Sequence, residues 1–146
     1  MPGKRLRNDF MSKIQIGLFL MLLCIHTQAQ LVVTVSSPKI TGQKAVVPLT
    51  MKNNFTEKVE SARAVVFLLD GDGKMVGQST RWVIGGAKDQ PALESKSETK
   101  FNFVIPATKP VVTTNLTAKV NFTRVVLEGG ELADVSKTVT VTPAAK

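Results

Sequence analysis

Few side chains in this sequence can do chemistry, and the two most versatile stand near its start. Cys24 is the only cysteine and His26 the only histidine of 146 residues. Such a pair offers a nucleophile, a base or a metal ligand. Both lie in a segment with the three parts of a secretory signal. Lys4, Arg5, Arg7 and Lys13 precede an unbroken apolar run over 16–25. Thr27-Gln28-Ala29-Gln30 then places small residues at 27 and 29. The run is shorter than the roughly 20 apolar residues of a membrane-spanning helix. Leu23, before Cys24, is not the small residue that precedes a lipid-modified cysteine. The expectation is cleavage after Ala29, export without a stable membrane anchor, and loss of both Cys24 and His26.

What remains has neither residue type, so no disulfide can staple it, and packing must hold it together. A Ser–His or Cys–His nucleophile is excluded, as is a zinc site of Cys and His. A pair of carboxylates acting on a glycosidic bond remains formally open. The acids, such as Glu128, Glu131 and Asp134, fall mostly in turns with no partner set in an evident cleft. No enzyme activity and no cofactor are expected. An exported chain without disulfides suits a bacterial envelope, in the periplasm or outside the cell.

Two further groups deserve a reading. Asp70-Gly71-Asp72-Gly73 has the Asp-x-Asp-Gly start of a calcium loop, which makes Asp70 and Asp72 calcium candidates. Position 12 of such a loop, where a bidentate Glu belongs, is Arg81, so a plain hairpin turn is expected. Trp82 is the only Trp, and there is no Tyr. An exposed Trp82 flanked by Arg81 and Gln78 would make a glycan platform or an interface anchor. The alternation of Val76, Trp82 and Ile84 instead turns Trp82 toward the core. Asn54, Asn115 and Asn121 each open an N-x-Thr sequon, a pattern that alternating strands also generate by chance.

The elements that must position these residues are strands. Seven are expected, at 31–36, 44–53, 62–69, 75–84, 98–105, 115–127 and 135–141, from period-2 alternation and abundant Val and Thr. The 62–69 run is apolar on both faces and reads as central. Pro48 lacks an N–H, which marks its strand as an edge or a bulge. Alternation breaks near Arg124, where a bulge would restore it. Val135, Val139 and Val141 are expected to face inward. Glu128-Gly129-Gly130-Glu131 reads as a hairpin turn between the last two strands. Residues 85–97 and 107–113 read as loops. The fold class is all-β, an immunoglobulin-like antiparallel β-sandwich of about seven strands over 30–141, with a short tail at 142–146.

Charge points away from nucleic acid. The sequence has 19 basic and 11 acidic residues, net +8. Without the first 29 residues, 15 basic and ten acidic remain, and they are scattered, as on a solvated mixed surface.

Val66-Phe67-Leu68-Leu69-Asp70, followed by Gly73, Met75 and Val76, resembles the bacterial FxLYD-type immunoglobulin-like domains, with Val66 and Leu69 where that family has Phe and Tyr. The resemblance extends over 51–105, where Glu98 to Phe103 stands as the later alternating strand. It implies a sandwich and no particular activity. The functional expectation is an exported, non-catalytic module acting by contact with another envelope or extracellular protein, through an edge strand or end loops. The alternatives are a module binding a glycan or envelope polymer and, last, a carboxylate-based hydrolase.

Overall fold

The computed structural model describes residues 30–107 and 115–144. The expected signal segment, with Cys24 and His26, and most of the 107–113 loop lie outside them. Eight strands form two facing sheets: β1 (Leu31–Val35), β2 (Lys39–Thr41), β3 (Lys44–Asn53), β4 (Val59–Leu69), β5 (Met75–Ile84), β6 (Glu98–Pro106), β7 (Thr117–Leu127) and β8 (Val139–Pro143). One sheet orders β2-β3-β1-β8, with β6 on the other side of β3; the second orders β5-β4-β7. The architecture is the expected all-β sandwich.

Alternation builds the core. Val47, Leu49 and Met51 of β3, Ala62, Ala64, Val66 and Leu68 of β4, and Phe103 and Ile105 of β6 are all buried between the sheets. Phe101 is partly buried and meets Phe103 edge-to-face, with centroids 6.0 Å apart. β4 lies between β5 and β7, as its two apolar faces require. The bulge expected near Arg124 is present: Arg63 opposes Arg124 and Ala64 opposes Phe122, leaving Thr123 as the extra residue.

Four expectations are corrected. First, β2 is an eighth strand; its Lys39 and Thr41 carry no apolar alternation to betray it. Second, the strand holding Pro48 is interior. β1 pairs with its second half, β2 with its first, and β6 runs along its other side. Pro48 is tolerated because Ser36 N–H donates to its carbonyl at 2.9 Å. A strand residue's N–H and C=O point the same way, so the missing donor faces the break between β1 and β2.

Third, the 128–131 turn does not join the last two strands as a hairpin. Glu128–Gly130 is a 3-10 turn, Leu132 bridges back to Val126, and a short helical turn, α1 (Val135–Thr138), carries the chain to the other sheet. There β8 pairs in parallel with β1, not with β7, so the sandwich is not wholly antiparallel. The last strand is an edge, and it runs on to Pro143, with Ala144 N–H donating to Val35 O at 2.8 Å. Fourth, the inward valines are not covered. Val139 and Val141 oppose buried Leu31 and Val33 and share their face, yet Val139 is only half-buried and Val141 is exposed. Val135 lies in α1, also half-buried.

Candidate functional site

Val139 and Val141 line a concavity at one side of the sandwich. β7 and β8 end neighbouring sheets but do not pair, and a cleft of about 990 Å³ opens between them. Leu116, Val120 and Phe122 line one side, and Val35, Val139 and Val141 line the other. Lys119 is the one ionisable side chain among the described residues that line it.

The backbone of β7 adds a second property. Along its whole length it pairs with β4 on one side. On its other side, Ala133 N–H donates to Val125 O at 3.0 Å and Leu127 N–H to Glu131 O at 2.7 Å. Those bonds seal only the end of the strand. Among the described residues, Thr117 to Arg124 has no partner strand on that edge. The cleft therefore joins an apolar floor to a row of unpaired backbone groups, the two features that an added strand needs.

The α1 turn sets the far wall. Asp134 caps it: Oδ1 accepts from Ser136 N–H at 3.1 Å and Ser136 Oγ–H at 2.6 Å, and Thr138 N–H donates to Asp134 O at 3.0 Å. The Ser136 hydroxyl, more than the Lys137 ammonium 3.9 Å away, holds the exposed Asp134 carboxyl below its ordinary pKa.

The residues singled out in the sequence lie elsewhere. Asp70 and Asp72 sit in the β4–β5 hairpin. Asp70 Oδ1 accepts from the N–H groups of Asp72 and Lys74, both at 2.9 Å, so this carboxylate caps its own turn. Among the described residues, no group of three or more His, Cys, Asp or Glu is placed to hold a metal ion.

Trp82 is not in the core. A bulge between Ala62 and Arg63 makes Val83 the extra residue of β5, with Ile84 opposite Ala62 and Trp82 opposite Arg63. Val83 and Ile84 are both buried, and Trp82 turns to the outer face of the sheet, half-buried. Gln78 opposes the outward Phe67 and so shares this face. Arg81 opposes the inward Ala64 and does not, so the expected Gln78–Arg81–Trp82 group is split. Arg63 takes the expected place of Arg81, with its guanidinium carbon 5.7 Å from the indole centroid. Gly86 lies against the indole, where a Cβ would stand 2.4 Å from Trp82 Cδ2. No sequence signal pairs residue 63 with residue 82 before the bulge is known.

No protein-family model and no curated protein matches the chain. Among solved structures it is similar to the ApaA protein from Bordetella pertussis, at 18% identity over 70% of this chain and 84% of that one, TM-score 0.45. It is also similar to IrmA from Escherichia coli, at 10% identity over 80% and 92%, TM-score 0.43. A β-glucuronidase of glycoside hydrolase family 2 aligns at 19% identity with 68% of this chain and only 10% of its own, TM-score 0.36. These likenesses carry no argument about function, and the sandwich rests on the strand pairing itself.

Proposed function

We propose that the chain is an exported, non-catalytic β-sandwich module that acts at the cell envelope through protein–protein contact, and that the β7–β8 cleft is the contact surface. The observation that carries this reading is the pair of inward-facing valines, half-buried Val139 and exposed Val141, beside an unpaired strand edge. Apolar surface turned toward a core but open to solvent is what a partner buries. The signal-like residues 1–29 support export, and the absence of Cys and His from 30–146 supports a non-catalytic role.

The test is affinity capture from the host's own envelope fraction, with the purified protein and a V141K variant as baits. Val141 is exposed, so the lysine leaves the fold intact while charging the cleft. A protein retained by the wild type and lost with V141K is the expected result. Capture of no protein, together with binding of a polysaccharide by the same preparation, would overturn the reading.

A glycan-binding reading draws on one observation, the outward placement of Trp82 beside Gln78. Against it, Gly86 covers one face of the ring and Arg63 lies over it, which leaves a poor surface for a stacked sugar. A saccharide that shields Trp82 from acrylamide quenching would favour this second reading.

A further inference from the structure

Resting on the cleft as the contact surface, we propose that its occupant is an extended, acidic-apolar alternating segment of another protein, added as a strand to the free edge of β7. The open edge, Thr117 to Arg124, is eight residues long, about 25 Å of strand. A row of N–H and C=O groups at strand spacing is matched in register by another extended backbone. Alternate residues of that backbone turn inward, where partly buried Leu116 and Val139 and exposed Val141 present apolar surface beside the buried Val120 and Phe122. Those positions call for apolar side chains.

Charge specifies the other face. Lys119 opposes the outward Phe67, and Arg124 opposes Arg63, so Lys119 and Arg124 both stand on the outer face of the sheet, on the strand that carries the open edge. β5 and β7 carry no acidic residue, and the one acid of β4, Glu60, accepts a bond from Gly129 N–H. Among the described residues, neither Lys119 nor Arg124 is in an ion pair. Arg63 and Arg124 are like charges directly across a strand pair, an arrangement that destabilises a sheet. An added strand whose outward residues are Asp or Glu relieves it. The same cations disfavour a second copy of this chain. Antiparallel pairing of β7 with itself brings Lys119 and Arg124 of two molecules close together, and edge cations commonly prevent such pairing.

The test uses two capped, fluorescently labelled nine-residue peptides, one alternating Val with Glu and one alternating Val with Lys. Binding to the purified protein is read by anisotropy. The Glu peptide is expected to bind at least tenfold tighter, with affinity falling as salt rises. A K119E/R124E double variant is expected to reverse the preference; both side chains are exposed, and circular dichroism checks that the fold is kept. Equal binding of the two peptides, or a preference unchanged by the double variant, overturns the proposal. So does complete competition by heparin, which would mark a general polyanion surface, or dimerisation of the free protein in sedimentation. An envelope protein captured equally by the wild type and the double variant, yet lost with V141K, leaves the contact function standing and removes strand addition by an acidic segment.

Discussion

Among the described residues, Asn53 is the one polar residue that is buried, and each of its side-chain groups is used. Nδ2 donates to the carbonyls of Glu57 and Leu93, both at 3.0 Å, and of Glu94 at 3.2 Å; Oδ1 accepts from Phe55 N–H at 2.8 Å. These bonds tie the 85–97 loop to the end of β3. Asn53→Ala leaves buried backbone groups unpaired and is expected to cost about 1–3 kcal/mol in urea unfolding. Gly85 is a sharper constraint. Its φ of +50° belongs to the left-handed region, and a Cβ would stand 1.8 Å from Glu60 O. Gly85→Ala is expected to force the backbone of β4 and the loop apart, read as a lowered Tm larger than that of Gly42→Ala, where the added carbon meets nothing within 4 Å. Neither residue was legible in the sequence. Asn53 reads there as the polar end of an alternating strand, because Leu93 and Glu94, two of its four partners, lie about 40 residues away. Trp82 was misplaced for a related reason. The alternation that groups it with Ile84 crosses the bulge at Val83, and the one that groups it with Val76 crosses the register shift between Leu68 and Leu69; a bulge is a property of two strands in register, not of one.

At the scale of elements, the interiors of strands were legible and their neighbours were not. Period-2 alternation marks where strands run, so β1, β3, β5 and β6 emerge from the sequence to within one residue, and β4 and β7 to within three. It does not report which strand lies beside which. Pro48 therefore read as an edge when it fills a gap opposite a broken strand, and the two glycines before Glu131 read as a hairpin. The crossover to β8 depends on the α1 turn and its Asp134 cap, which gives the turn a pH dependence. The folded Asp134 carboxyl titrates below its ordinary value, so its contribution is complete above that value and lost as pH falls through the lowered one. Acid is therefore expected to loosen α1 first, seen as faster exchange of the Ser136 and Thr138 amides while the β4 amides stay protected. Loss of β4 protection in the same step would show that α1 is not a separate unit.

The whole molecule is a sandwich closed along one side and open along the other. On the closed side, β5 meets β6 so tightly that a Cβ on Gly77 would stand 3.1 Å from Ile105 Cγ2. On the open side, β7 and β8 leave the cleft, and that asymmetry is the basis for reading the fold as a contact module. Composition made the absence of Cys and His beyond residue 29 visible at once, but an unpaired edge is invisible until topology is known. The most direct test of the account is amide hydrogen exchange along β7 in the free protein. In an antiparallel strand with one partner, only alternate N–H groups are bonded. Alternating slow and fast amides are expected from Thr117 to Phe122, with the fast ones slowing when a strand is added. Uniform protection across those residues in the free protein would mean the edge is already covered, and would contradict the open cleft on which the proposed function depends.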